Sequence, residues 1–360
     1  MTHVLDLAEK LPKYNIQAEI LFFTKGPSID EARKKKIPVH LILKKGRGLI
    51  FLYNLYKFLK KNRYDVLHTH TINGNFYGRL SGKLSNIPVL LTTVHSHIID
   101  ELKGLKKPSL LDHFRYRIDL FFARWSKALI VVSENIHERL IGHGIPAKKI
   151  YVIENGVDTS KFKPSYQTGI DVRKELGISV KAKVVGIIGR MVPLKNHDFF
   201  LDTAKEVLRE RENACFLIVG DGPLKNHIQS YAYSLGLREH VIFTGWRNDI
   251  ERIITALDIL VLCSQVEGHN VVILEAMSCE KPVIGTDVRG IHSTIRNNEN
   301  GVLVPLGDST ALAKAILFLF NNPEKAKSMG DAGRKYIQKK HSIDRMVSAY
   351  INLYQDLSIQ

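Results

Sequence analysis

The sequence has few of the features that would set it apart from ordinary globular proteins. Only three cysteines occur in 360 residues, Cys215, Cys263 and Cys279, and no two form a C-x-x-C pair. That argues against a disulfide framework or a thiolate metal site, and buried, reduced thiols are expected instead. No run of 18 or more apolar residues exists, so no segment is expected to span a bilayer. The opening MTHVLDLAEKLPKYN lacks the basic start, apolar stretch and small-residue cleavage site of a secretory signal. A cytoplasmic chain is the expectation. A complete G-x-G-x-x-G with a following acidic residue is missing, which disfavours an NAD-dependent oxidoreductase. No helix-turn-helix, zinc or RNA-sheet signature supports a nucleic-acid partner. Neither a fixed-period repeat nor a low-complexity tract is present.

What the chain does have is basic charge, unevenly spread. Residues 1–165 hold 28 Lys+Arg against 14 Asp+Glu, whereas residues 166–360 hold 24 against 22. The basic excess therefore belongs to the first half, where it attracts anionic headgroups or phosphorylated substrates. The segment 48–63 (GLIFLYNLYKFLKKNR) sets Phe51, Leu52, Leu55 and Leu59 near one helix face, with Lys57, Lys60, Lys61 and Arg63 available to headgroups.

Apolar runs of strand length alternate with helix-period segments throughout. Strands are expected at 17–24, 37–42, 65–70, 89–95, 128–133 and 149–154, then at 184–189, 214–220, 240–245, 258–264, 282–286 and 301–305. Helices are expected at 48–63, 75–86, 109–127 and 134–143, then at 197–211, 224–235, 248–257, 270–279 and 309–321. Continuous apolar strands joined by helical crossovers imply parallel sheets covered on both faces, hence an α/β chain of two doubly wound domains. Their expected bounds are 1–165 and 166–341, with a linker near Lys161 to Val172 and an amphipathic helix at the end, 342–360.

Ligands of such sheets sit at the carboxyl ends of strands, beside helix N-termini. Three strand-to-helix turns there carry suitable chemistry. Gly189 ends a strand, Arg190 and Lys195 supply two cations able to reach a diphosphate, and Asn196 is placed to cap the next helix. Gly220-Asp221-Gly222-Pro223 lets backbone approach a ligand closely. In Glu267-Gly268-His269-Asn270-Val271, followed by Glu275, two carboxylates suited to sugar and ribose hydroxyls flank a helix start.

Together with Ser133-Glu134, Asn155-Gly156-Val157-Asp158, Phe162 and Asn300-Gly301, these motifs fall in an order that resembles the retaining glycosyltransferases of family 4. The resemblance covers nearly the whole chain. It implies the GT-B fold: two Rossmann-like domains facing across a cleft, an acceptor domain first, a nucleotide-sugar domain second, and a last helix crossing back. It also implies transfer of a hexose from a UDP- or GDP-sugar, without metal or other cofactor, to an anionic or lipid-linked acceptor. By the same resemblance Arg190 and Lys195 grip the diphosphate, Glu267 the sugar and Glu275 the ribose. Gly268, His269, Asn270 and Val271 offer backbone to phosphate and sugar, Trp246 lies near the base, and His95 reaches the reacting sugar. A nucleotide-sugar epimerase on the same scaffold is the alternative. His68, His70 and His97 are not expected to form a metal cluster.

Two departures from the family stand out. Members usually begin with a strand and a Gly-rich loop, whereas Met1 leads almost directly into a helix with core face Val4, Leu5, Ala8 and Leu11. Glu280 stands where glycine is usual, and costs on the order of 1 kcal/mol or more if the backbone there needs positive φ.

Overall fold

The computed structural model describes residues 2–44, 48–95, 109–268 and 270–359. The chain divides into two units: residues up to 156 together with 343–359, and residues 157–342. The second unit thus begins at Val157 rather than at residue 166.

In the first unit β1 (Ile20–Phe22) pairs with β2 (Val39–Leu41), and β3 (Val66–Thr69), β4 (Val89–Val94), β5 (Ala128–Val131) and β6 (Ile150–Val152) form a four-stranded sheet in that order. All these pairings are parallel. No pairing joins β1 to β3 among the described residues, although Leu21, Phe23 and Leu67 share one apolar cluster. The helices are α1 (Thr2–Lys10), α2 (Pro27–Lys34), α3 (Gly48–Asn62), α4 (Ile72–Leu84), α5 (Leu110–Ala123), α6 (Glu134–Gly142) and, returning at the end of the chain, α15 (Ile343–Ile359). Leu5, Ala8 and Leu11 are buried as expected, and Tyr350 and Tyr354 of α15 pack under the four-stranded sheet. On α3, Phe51, Leu55 and Leu59 are core, while Lys57, Lys60, Lys61 and Arg63 are exposed; the outward apolar residues are Leu49, Ile50 and Tyr53.

The second unit has one six-stranded parallel sheet, ordered β12 (Val302–Val304), β11 (Val283–Thr286), β10 (Ile259–Leu262), β7 (Lys183–Ile188), β8 (Ala214–Val219), β9 (Val241–Gly245). Alternate residues feed opposite cores. Val185, Ile187, Phe216 and Ile218 join one cluster, and Val184, Ile188, Leu217 and Val219 the other. The helices are α7 (Tyr166–Glu175), α8 (His197–Leu208), α9 (Lys225–Ser234), α10 (Ile250–Ala256), α11 (Val271–Ser278), α12 (Arg289–His292), α13 (Ser309–Asn321) and α14 (Pro323–Lys340). α8, which follows β7, packs in the first cluster, and α11, which follows β10, packs in the second. Neighbouring strands β7 and β10 therefore send their crossovers to opposite faces, and a crevice opens at their carboxyl ends.

The expected linker is a correction. Residues 166–175 are helical, with Ser165 as N-cap accepting from the Thr168 N–H at 3.4 Å. Gly169, read as a breaker, serves close packing instead: a Cβ there would lie 2.6 Å from the Thr255 carbonyl oxygen of α10.

Glu280 does adopt a left-handed backbone, φ 58°. It follows α11 in a Schellman ending, with Glu280 N–H on the Met277 carbonyl and Lys281 N–H on that of Ala276, both at 3.0 Å. Glycine suits that position, and the Arg334–Glu280 contact at 3.6 Å is a partly exposed pair of small worth. Glu280→Gly is expected to raise the melting temperature of this unit by about 2 °C, since relief of αL strain outweighs the added unfolded-state entropy. A lower melting temperature would show that the Arg334 pair dominates.

Candidate functional site: the β7–β10 crevice

The crevice is walled by three loops tied to one another. Met191 N–H donates to the Asp221 carbonyl at 3.0 Å, Leu224 N–H to the Met191 carbonyl at 3.2 Å, and Gly220 N–H to the Gly245 carbonyl at 2.9 Å. Gly220 has φ 135°, and a Cβ on it would stand 2.0 Å from the Gly189 carbonyl oxygen; on Gly222 it would stand 2.5 Å from that of Met191. The bare faces of these glycines are thus filled by the neighbouring loop, not left open for a ligand. Asp221 is exposed, accepting from its own loop at Gly222 N–H (2.7 Å) and from Lys225 Nζ (3.4 Å). Arg190 is exposed on the outer lip, and Trp246, just past β9, is 60% exposed.

Glu267 is the hub. Its Oε1 accepts from Lys195 Nζ, from the Ser264 hydroxyl at 2.6 Å and from Asn270 Nδ2 at 2.9 Å. Asn270 caps α11 in turn, its Oδ1 accepting from the Val272 N–H at 3.0 Å. The carboxylate is 12% exposed and held by one cation and two neutral donors, which fixes both its position and the direction of the lysine. Gly268 and Val271 lie on either side of this start of α11, both partly buried, and Glu275 sits in its second turn, 7% exposed. His269 lies outside the described residues.

Sequence reasoning missed the groups that hold the hub. Ser264 is fully buried, and its carbonyl accepts from the Thr286 hydroxyl at 2.6 Å. Gly290 in α12 lets β11's loop press on Glu267: a Cβ there would meet the Glu267 carbonyl oxygen at 2.1 Å. A hydroxyl residue closing an apolar strand is the one signal that was available. Asn300 and Gly301, by contrast, are structural. Asn300 accepts from Arg296 N–H at 2.7 Å, and a Cβ on Gly301 would lie 2.8 Å from the Val283 carbonyl oxygen.

In the first unit His95 follows β4. Its Nε2 lies 3.1 Å from His70 Nδ1, one nitrogen donating and the other accepting. His68 bonds the Tyr354 and Thr93 hydroxyls, each at 2.7 Å, and His3 the Tyr350 hydroxyl at 3.1 Å. Burial lowers all four rings: His95 to about 4, and His68 to about 3 with help from His95, while His3 and His70 fall well below the usual range. His95 is therefore a neutral imidazole at pH 7, oriented by His70. Among the described residues no group of three or more His, Cys, Asp or Glu is arranged to hold a metal ion. His97 lies outside them.

The cysteines are free; Cys263 and Cys279 are buried and Cys215 partly so. Burial pushes Cys215 up to about 11 and Cys279 to about 12, which makes both poor nucleophiles.

Two parallel-sheet α/β units, the second with a carboxylate–lysine pair beside a helix start at the carboxyl ends of its strands, are the architecture of the GT-B fold expected from the sequence. Residues 2–161 match Glycosyltransferase Family 4, and residues 170–336 match Glycosyl transferases group 1. The chain is 31% identical over 312 residues to the Escherichia coli UDP-Gal:alpha-D-GlcNAc-diphosphoundecaprenol alpha-1,3-galactosyltransferase, covering 86% of this chain and 79% of that one. To the Bacillus anthracis N-acetyl-alpha-D-glucosaminyl L-malate synthase it is 27% identical, over 83% and 76% of the two chains. Anabaena HepE, solved with UDP and glucose, has the same fold, with a TM-score of 0.88 at 21% identity over 98% of this chain and 95% of that one. The chain belongs to glycosyltransferase family 4, group 1, and is a glycosyltransferase. Neither an epimerase nor an oxidoreductase is supported.

Proposed function

We propose that the enzyme moves a hexose from UDP-hexose, with retention of configuration and without a metal ion, to a lipid-linked envelope-polysaccharide or glycolipid precursor. The observation that carries this reading is the Lys195–Glu267–Asn270 hub beside the start of α11. Arg190 and Lys195 neutralise the departing diphosphate, so two cations do the work of a metal clamp. Glu267 accepts from sugar hydroxyls, and Glu275 from the ribose diol. Backbone from Gly268 to Val271, His269 included, faces phosphate and sugar. Gly189, Asp221 and Trp246 complete the donor side, Gly222 letting the Asp221 loop close on Met191, and the neutral His95 is the catalytic contribution of the first unit. The leaving phosphate serves as base for the incoming hydroxyl during attack from the same face. UDP is favoured because the E. coli relative is named for UDP-Gal and HepE was solved with UDP.

The acceptor assignment rests on the basic first half and on Leu49, Ile50 and Tyr53, which stand 78%, 63% and 55% exposed near Lys57 on α3. A cytoplasmic enzyme resting on an anionic membrane fits this surface. Among the described residues no helix is long and apolar enough to cross a bilayer.

The test is thermal stabilisation by UDP, GDP and ADP, with and without EDTA, beside Arg190→Ala and Glu275→Ala, and co-sedimentation with anionic vesicles. UDP at 100 times its Kd is expected to stabilise by about 2.7 kcal/mol, unchanged by EDTA and lost in both variants. A folded protein that no nucleotide stabilises would overturn the donor site. Equal sedimentation of wild type and a Leu49→Ser/Ile50→Ser variant would overturn the membrane surface.

A further inference from the structure

His197 opens α8, directly after the turn that carries Lys195, and is 2% exposed. Neither ring nitrogen has a hydrogen-bond partner. Burial, with Lys195 close by, lowers the ring to about 4, so it is neutral at pH 7 and offers one N–H and one lone pair. Buried polar atoms in native proteins are almost always satisfied, and an imidazole with both nitrogens unmet calls for a partner.

The ring lines a cavity of about 10 Å³ that it shares with Gly189, Lys195, Cys263 and Ser264. That space lies at the carboxyl ends of β7 and β10, directly beside the Glu267 hub. It is about the size of one water molecule; Ile187, Ile188 and Leu262 form its apolar wall, and Lys195, His197 and Ser264 offer a water its polar partners. Lys195 and Ser264 both donate to Glu267 Oε1, so an oxygen held between His197 and these two side chains would be continuous with the hub.

We propose that His197 is a positioning residue of the donor site: with Ser264 it holds one ordered water beneath Lys195, and that water fixes the ammonium group towards the diphosphate. The neutral ring suits this task. It can accept from the water or donate to it without adding a second positive charge beside Lys195. An aspartate there would compete with the phosphate, and an apolar residue would leave the lysine to be directed by Glu267 alone. The inference rests on the donor-site reading above and deepens it.

The test compares His197→Phe with His197→Asn, reading melting temperature, affinity for UDP and for uridine, and kcat and KM separately. His197→Phe fills the cavity, displaces the water and removes a buried polar ring, so its melting temperature is expected to stay close to that of wild type. Its UDP affinity is expected to fall about tenfold, the worth of one charge-assisted hydrogen bond, while uridine affinity stays the same. His197→Asn keeps a donor and an acceptor and is expected to recover most of the UDP affinity. Unchanged UDP affinity in a folded His197→Phe would overturn the proposal, as would an equal loss of UDP and uridine. Should His197→Phe fail to fold, His197→Leu takes its place: it too has no polar atom to hold the water, and wild-type UDP affinity in a folded His197→Leu would overturn the proposal. If wild type itself ignores UDP, the donor reading has failed. If Arg190→Ala loses UDP while His197→Phe keeps it, this inference alone has failed.

Discussion

Lys195→Met is expected to lower kcat/KM by about 1,000-fold, or about 4 kcal/mol, while the fold stays almost as stable as wild type. Both halves follow from where the ammonium sits. Lys195 is 25% exposed and its one ion pair among the described residues is with Glu267, so losing that partner is partly screened by water. Glu267 keeps the Ser264 and Asn270 donors and is not left bare. The catalytic loss is large because the proposed role is felt chiefly when the diphosphate leaves. Charge then grows on the phosphate oxygens, and a fixed cation stabilises it without reorganising. Methionine retains the length and apolar stem of lysine, which separates charge from packing. Turnover of UDP-galactose and UDP-glucose on a polyprenyl-diphosphate-linked sugar, with melting temperatures alongside, checks the claim. A folded variant within fivefold of wild type would remove Lys195 from the chemistry.

The first unit is expected to lose much of its stability between pH 7 and pH 5. A histidine whose folded pKa lies below its unfolded value of about 6.5 withholds a proton that the unfolded chain takes up. The native state therefore has its full stability above about pH 6.5 and loses it progressively as the pH falls towards the folded values. For His95, held at about 4, and His68, held at about 3, the loss by pH 5 is about 2 kcal/mol each. His3 and His70 act in the same direction. The total rivals the net stability of a typical domain, about 5–15 kcal/mol. The measurement is convenient because the two tryptophans report separately, Trp125 from the first unit and Trp246 from the second. In Trp246→Phe, the urea midpoint read through Trp125 should fall steeply over this range. In Trp125→Phe the second unit, in which burial lowers His197 to about 4, should move less. Midpoints that stay level down to pH 5 would mean that the histidine cluster takes up protons in place.

The strands were legible because a parallel strand buried on both faces reads as an uninterrupted apolar run. ALIVVS contains β5 (Ala128–Val131), and VVGIIG overlaps β7 (Lys183–Ile188). The helices that escaped are those with little apolar signal. α14 buries only Met329, Gly330, Gly333 and Ile337, and its glycines face other elements: a Cβ on Gly330 would stand 2.1 Å from the Glu280 carbonyl oxygen. α2 and α14 both begin with proline, which fits a first turn but reads along the sequence as a break. α7 was hidden by Pro164 and Gly169 for the same reason. At the site, the charged residues Arg190, Lys195, Glu267 and Glu275 stood out in their local motifs. Ser264, Thr286, Gly290 and His197 did not, because each acts through a partner that only the fold brings near. Nothing in the composition of residues 286–290 announces that Gly290 must yield room to Glu267.

The separate pairing of β1 with β2 bears on how the molecule behaves among other chains. Among the described residues, the single six-stranded sheet of the second unit has two outer rows of peptide groups, and the two sheets of the first unit have four. A free row is a template on which another extended segment can lengthen the sheet. Leu21, Phe23 and Leu67, beside this interruption, are partly buried against Phe51, Leu55 and Leu59 of α3. Strand addition in concentrated samples is therefore expected at the first unit before the second, which limited proteolysis of the associated material would check. The second, with its strands in one continuous sheet, offers such a template only at β12 and β9 among the described residues.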